Sequence, residues 1–265
     1  MSPVAVVLVL AAAGLHAGWN LVLHGSEDRP AVMAVAGLVA GVALLPAVVV
    51  QPPAGVVGLV VLSGAAEAAY ALSLSAAYRL GDLSIAYPVA RGTAPLVVTL
   101  LAFAFLSQTP GAAAAAGAVS LAAGLGWLAV EGRRRLAGAA VGFGLLTGVV
   151  IAVYSTVDAR AVRSVAPVGY LGAVMLVQGL VLTVALRGDP GRLRRALPGG
   201  AAVALGSTAA YLLVLFAFQR AAAGRVATLR EVAVLVGILL SGERPGRAVW
   251  LAAVLVVAGA VLAGA

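Results

Sequence analysis

Long apolar runs follow one another along the chain with short polar breaks between them, and none shows the every-second-residue alternation of a half-buried strand. Ten runs of about 17–25 residues can be marked off, each near the ~20 residues that an α-helix needs to cross ~30 Å of hydrocarbon. They lie at about 3–22, 30–50, 55–79, 83–106, 110–130, 138–158, 165–186, 198–220, 224–241 and 246–264. Glycine, proline and charge punctuate them, at Gly25-Ser26-Glu27-Asp28-Arg29-Pro30, Gln51-Pro52-Pro53, Gln108-Thr109-Pro110, Arg187-Gly188-Asp189-Pro190 and Gly242-Glu243-Arg244-Pro245. The pattern predicts an all-α integral membrane protein of ten transmembrane helices and excludes a β-barrel. The first run starts near Met1 without a basic n-region, so it reads as the first span and not as a cleaved signal peptide.

The runs repeat. A shift of 141 residues aligns Ala68-Ala69-Tyr70 with Ala209-Ala210-Tyr211, Leu72 with Leu213, Leu74 with Leu215, Ala76 with Ala217 and Arg79 with Arg220. Further on, a shift of 135 aligns Pro110-Gly111 with Pro245-Gly246, Ala118-Val119 with Ala253-Val254 and Ala123-Gly124 with Ala258-Gly259. The second copy is thus six residues shorter between its hairpin turn and its proline, which makes the ninth span short. Two units follow, 1–131 and 132–265, joined at Glu131-Gly132-Arg133-Arg134-Arg135. Five spans is an odd number, so the second unit enters the membrane from the opposite side. Such inverted repeats characterise alternating-access carriers, with the site near the bilayer midplane.

Composition narrows the chemistry. Hydrophobic residues make up 63% of the chain and charged ones only 10%, which leaves too little polar surface for a soluble domain. There is no cysteine and there are two histidines, so no disulfide, thiol nucleophile, cofactor or metal cluster is expected. All 17 basic residues are arginine, most of them in the breaks between runs, where they set topology and meet lipid headgroups; nucleic acid is not an expected partner. Arginine is the only basic residue in an Ala/Gly/Val-rich chain, a bias of GC-rich bacterial genomes that predicts a multi-pass protein of a bacterial inner membrane. Leaving out Arg91 and Arg230, four arginines fall on the side of the termini and eleven on the other, which places both termini outside the cytoplasm.

Ionisable and aromatic residues inside these runs are the candidate site, because a charge at mid-bilayer costs at least ~2.5–3.5 kcal/mol and faces protein or a wet cavity. Glu67 lies about 18 Å from either end of the third span, with Ser63 and Tyr70 on its face. Such a carboxyl is the natural proton-coupling group, or else half of a permanent ion pair. Arg91 lies roughly 12 Å deep in the fourth span, between Pro88 and Pro95, with Tyr87 one turn away. It predicts a kinked helix beside a cavity, or a partner for Glu67 across the hairpin. Arg230 and Glu231 fall in the first turns of the ninth span and read as a cavity gate or as anchors that snorkel to the headgroups. His16, Trp19 and Asn20 share a face of the first span, and Tyr154 and Tyr211 are further lining candidates. Asp158, next to Arg160 at the end of the sixth span, reads as a solvated pair. Gly37 and Gly41 read as a close-packing stripe.

The stretches Leu15-His16-Ala17-Gly18-Trp19-Asn20, Ala86-Tyr87-Pro88-Val89-Ala90-Arg91-Gly92-Thr93-Ala94-Pro95, Leu229-Arg230-Glu231 and Gly242-Glu243-Arg244 resemble the EamA branch of the drug/metabolite transporter superfamily. The resemblance spans essentially the whole chain. It departs from the family pattern in the short ninth span and in Ser107-Gln108-Thr109-Pro110, where members often carry Gly-Glu-Arg. It implies a secondary transporter, and an exporter before an importer. It also implies termini inside, against the charge count. The expected partners are a small polar or amphipathic metabolite, membrane lipids and protons exchanged at Glu67, with a monomer as a workable unit. A carrier or flippase of lipid-linked headgroups is the alternative. A membrane-embedded enzyme would need a catalytic set that these residues do not supply.

Overall fold

The structure is a computed structural model that describes residues 1–81, 83–109, 111–113, 116–117, 119–120, 123–124, 127, 138–233, 236 and 246–264. Side chains at 83–88, 248–249, 252, 256, 260 and 263–264 are outside the description. Several expectations therefore lie outside the described residues: much of the fifth span, the central break at 131–135, most of the ninth span beyond Ala233, the Gly242-Glu243-Arg244 stretch and the side chain of Tyr87.

The described helices are α1 Pro3–His24, α2 Arg29–Ala43, α3 Leu45–Val50, α4 Val57–Leu80, α5 Leu83–Leu106, α6 Gly138–Ala161, α7 Pro167–Ala185, α8 Pro190–Phe218, α9 Ala223–Leu229 and α10 Arg247–Gly264. Six of the described segments are long and apolar enough to cross a membrane: α1, α4, the Val89–Leu106 part of α5, α6, α7 and α8. Helix starts follow local chemistry. The Ser2 hydroxyl accepts from the Ala5 amide at 3.3 Å, and the Asp28 carboxylate accepts from the Ala31 amide at 3.3 Å. Asp189 accepts from the Gly191 and Arg192 amides at 2.9 and 3.2 Å. Pro3, Pro30, Pro167 and Pro190 stand at the first helical positions, where no amide donor is needed.

Three expected spans are redrawn. The second divides at Leu44 into α2 and α3, because Pro46 has no amide to bond back into the helix and its ring crowds the Val42 carbonyl. The eighth begins at Pro190 and runs through Pro198, since the Asp189 cap starts the helix two turns before the apolar run. At the ninth, α9 stops after seven residues and the chain turns at Arg230 and Glu231. There the Glu231 amide bonds to the Thr228 carbonyl at 3.1 Å, an i to i−3 closure that tightens and ends the helix. The two residues therefore sit at a helix end and not in the first turns of a continuous span.

Helices from the two halves of the chain interleave. α1 lies against α8, α2 against α7 and α8, α4 against α6 and α7, and α5 against α6. α4 and α5, the arms of the hairpin, touch each other little. α2 and α7 approach each other closely. A Cβ added at Gly37 would stand 2.8 Å from the Gly179 nitrogen, and one added at Gly179 would stand 2.6 Å from the Leu38 nitrogen. Lipid supplies no hydrophobic drive between apolar helices, so this backbone contact is the kind of packing that holds such bundles together.

Candidate functional site

A small cavity of about 30 Å³ opens where α1, α2, α4, α6, α7 and α8 converge. It takes His16 and Trp19 from α1, Glu67 and Tyr70 from α4, and Tyr154 from α6. Gln178 of α7, Ser207 and Tyr211 of α8 and Arg230 at the end of α9 complete its polar wall. Met33 and Met175 supply apolar surface. Seven of the side chains singled out in the sequence thus meet in one place. Each had put a polar or aromatic group into an apolar run, and a fold that cannot solvate such groups in lipid gathers them inside.

Three tyrosines and an arginine form a continuous ladder. The Tyr70 and Tyr154 rings stand edge to face at 6.0 Å, Tyr154 and Tyr211 at 5.7 Å, and the Arg230 guanidinium carbon lies 5.6 Å from the centre of the Tyr211 ring. Edge-to-face pairs and a cation over a ring are each favourable by about 0.5–1.5 kcal/mol, so the ladder fixes the wall. On α1 the His16 and Trp19 rings are 4.7 Å apart. His16 Nε2 and Trp19 Nε1 are buried and have no hydrogen-bond partner among the described residues, which leaves one polar atom on each ring available to a ligand. Gly206 packs under Trp19: a Cβ there would stand 3.0 Å from Trp19 Cβ.

Asn20 and Arg91 are placed elsewhere. The Asn20 amide donates to the His16 carbonyl at 2.9 Å, and its oxygen accepts from the Tyr78 hydroxyl at 3.1 Å, which joins α1 to α4. Arg91 faces the second half of the chain. Its Nη2 lies 3.2 Å from Glu231 Oε1 and donates to the Arg230 carbonyl at 3.4 Å, with both side chains of the ion pair almost fully buried. The expected pairing of Arg91 with Glu67 across the hairpin gives way to this one, because α5 packs on α6 and approaches α9, not α4. The partner chosen is the carboxylate that the turn at the end of α9 carries toward α5.

Asp158, expected to be solvated beside Arg160, is wholly buried. It accepts from the Tyr170 hydroxyl at 2.6 Å and from the Tyr211 hydroxyl, so Tyr211 spans the cavity and this second carboxylate. Ser63 and Gln178 are buried nearby, and Thr147 donates to Ser73 at 2.9 Å between α6 and α4. The spacing of Tyr154 and Asp158 at one helical turn was the available signal. What obscured it was depth: α6 continues to Ala161, and Ala159, Ala161 and Val162 are themselves buried. Glu67 lies within electrostatic reach of both Asp158 and Arg230. Among the described residues the buried interior therefore holds three carboxylates, Glu67, Asp158 and Glu231, and two guanidiniums, Arg91 and Arg230, of which Glu67 and Arg230 line the cavity.

Residues 138–265 match the sequence model of the EamA-like transporter family. Over that stretch the chain is similar to the family. The EamA-like half contributes Tyr154, Asp158, Tyr211, Arg230 and Glu231, while His16, Trp19, Glu67, Tyr70 and Arg91 come from the half before it. No curated protein matches the chain. One crystal structure of a protein matches it over 98% of this chain and 96% of the other, with a TM-score of 0.66 at 18% identity, a likeness in fold. The apolar helices make this a multi-pass membrane protein, and the match makes its second half similar to a transporter family.

Proposed function

We propose that the protein is a secondary carrier that moves a small, amine-bearing polar metabolite across the membrane by alternating access, in exchange for a proton held at Glu67. The observation that carries this reading is the charge count of the buried interior: among the described residues, with all five groups ionised, three carboxylates stand against two guanidiniums, one negative charge in excess. A buried excess charge is met by binding a proton or a cation, and a group that can take either in turn is what exchange requires. Tyrosine and tryptophan rings around it suit an alkylammonium, which binds to aromatic faces. Export, the direction the family resemblance implies, and a bacterial inner membrane complete the proposal.

The architecture proposed for it is ten spans in two inverted units, 1–131 and 132–265. The pairing of helices supports this, because exchanging the units maps the α1–α8 contact onto α4–α6, α2–α8 onto α4–α7, and α2–α7 onto itself. The Ser120 hydroxyl donates to the Leu255 carbonyl at 3.3 Å, a link between residues 135 apart, the shift that aligns these two segments. A cavity of about 30 Å³ is also far below the ~300 Å³ or more of a small-molecule site, which supports a contracted state that must widen to load. The test is thermal stability of the purified protein with amino acids, amines, nucleobases, organic acids and headgroup analogues, at two pH values. A ligand at 100 times its dissociation constant adds roughly 2.7 kcal/mol. Stabilisation by amines that strengthens at higher pH and vanishes in Glu67→Gln is expected; stabilisation by organic acids alone contradicts the reading.

A further inference from the structure

A second cavity of about 640 Å³ lies away from the central site, between the α1–α2 turn, the last turns of α4 and the first turn of α8. Its polar rim carries Arg29, Arg79, Arg192 and Arg195 against Glu27 and Asp28. Asp28 is already engaged: Arg192 Nε and Nη2 donate to its two oxygens at 2.7 and 2.9 Å. Arg29 is held in place by its own donors, which reach the His24 carbonyl at 3.1 and 2.6 Å. Arg79 and Arg195 are exposed at the rim. The basin is thus positive, with part of its rim preorganised by fixed contacts.

Its floor is apolar. Ala76 and Leu72 stand one and two turns from Arg79 on the same face of α4, further along the span toward the membrane interior. Leu72 is 40% exposed. From outside inward, the groove therefore offers guanidiniums and then hydrocarbon, the order in which a lipid presents its phosphate and its acyl chain. A free phosphate would find use only for the rim. We propose that this basin binds an anionic phospholipid, with its phosphodiester between Arg79 and Arg195 and an acyl chain along Leu72. Clustered arginines at the ends of membrane helices attract anionic headgroups. The bound lipid would bridge α4 of one half and α8 of the other at the membrane surface.

Native mass spectrometry of the full chain tests this, with phosphatidylglycerol and phosphatidylcholine of identical acyl chains as probes. Retention of phosphatidylglycerol over phosphatidylcholine is expected. The double variant Arg79→Gln/Arg195→Gln should weaken phosphatidylglycerol binding by roughly 25-fold, about fivefold per arginine, while leaving phosphatidylcholine unchanged. Arg163→Gln/Arg225→Gln, which removes two exposed arginines elsewhere, should change neither. Equal retention of the two lipids by the unaltered protein would overturn the proposal, whatever the folding of the variants. So would equal loss in both double variants. Displacement of phosphatidylglycerol by inorganic phosphate at equal concentration would overturn the lipid assignment.

Discussion

Removing the Glu231 carboxylate isolates the ion pair that ties α5 to the end of α9. Arg91 Nη2 and Glu231 Oε1 are 3.2 Å apart, with side chains only 3% and 2% exposed. At that distance and an effective dielectric near 20, two unit charges attract by about 5 kcal/mol. Removing one partner of a buried pair costs about 3–5 kcal/mol, because the charge that remains has lost its counter-ion in a medium that solvates it poorly. Glu231→Gln is expected to lower stability by about 3 kcal/mol or more, and Arg91→Gln by at least as much, since Arg91 also donates to the Arg230 carbonyl at 3.4 Å. The double variant buries neither charge and should lose less than the sum, with a coupling of at least about 1.5 kcal/mol. The assay is denaturant unfolding in mixed micelles, followed by tryptophan fluorescence across the four members of the cycle. Single effects that add to within about 0.5 kcal/mol would show that the two residues do not depend on each other, and the assigned pairing would fall.

Three further outcomes are expected. Gly37→Ala should cost about 1–3 kcal/mol, because its Cβ would meet the Gly179 backbone at 2.8 Å, whereas Gly14→Ala, with nothing within 4 Å, should be neutral; equal effects in the same unfolding assay would refute the α2–α7 contact. Tyr170→Phe should cost about 1.5–3 kcal/mol by removing one donor to the buried Asp158 carboxylate, and an unchanged unfolding midpoint would count against that bond. At the surface, the Arg192 guanidinium beside Asp28 holds its carboxyl below the usual aspartate range. The stability this adds is fully present above the unfolded aspartate pKa of about 3.9 and is lost as pH falls through the lower folded value. Arg192→Gln should flatten the pH dependence of the melting temperature below about pH 4, and an unchanged acid limb would contradict it.

Which residues gather at the cavity was largely legible in the sequence, and which of them pair was not. Glu67, Tyr70, His16, Trp19, Tyr154, Tyr211 and Arg230 stand out because each interrupts an apolar run, and the cavity collects all seven. Depth along a helix is also readable, from 1.5 Å of rise per residue. The azimuth of one helix against another is not. Glu67 and Arg91 have similar depths, yet Arg91 turns to Glu231 because α5 lies on α6 and not on α4. Asp158 reads as solvated in the sequence and is buried in the fold for a related reason: where a helix emerges depends on what covers its last turn, and Ala159, Ala161 and Val162 are covered. Asn20 belongs to the same class, a polar residue whose partner, Tyr78, lies 58 positions away. The break at Leu44, by contrast, had a signal in Pro46 that the unbroken 30–50 span left unused.

Proton movement in sealed proteoliposomes tests the central claim most directly. With the protein reconstituted and a pH-sensitive dye inside, an outward gradient of the amine that stabilises the purified protein should drive protons inward, at a rate that saturates with amine concentration. Glu67→Gln should abolish this flux while still folding. Amine-driven flux of equal size in Glu67→Gln, or amine transport by the unaltered protein with no proton movement, would contradict exchange at Glu67.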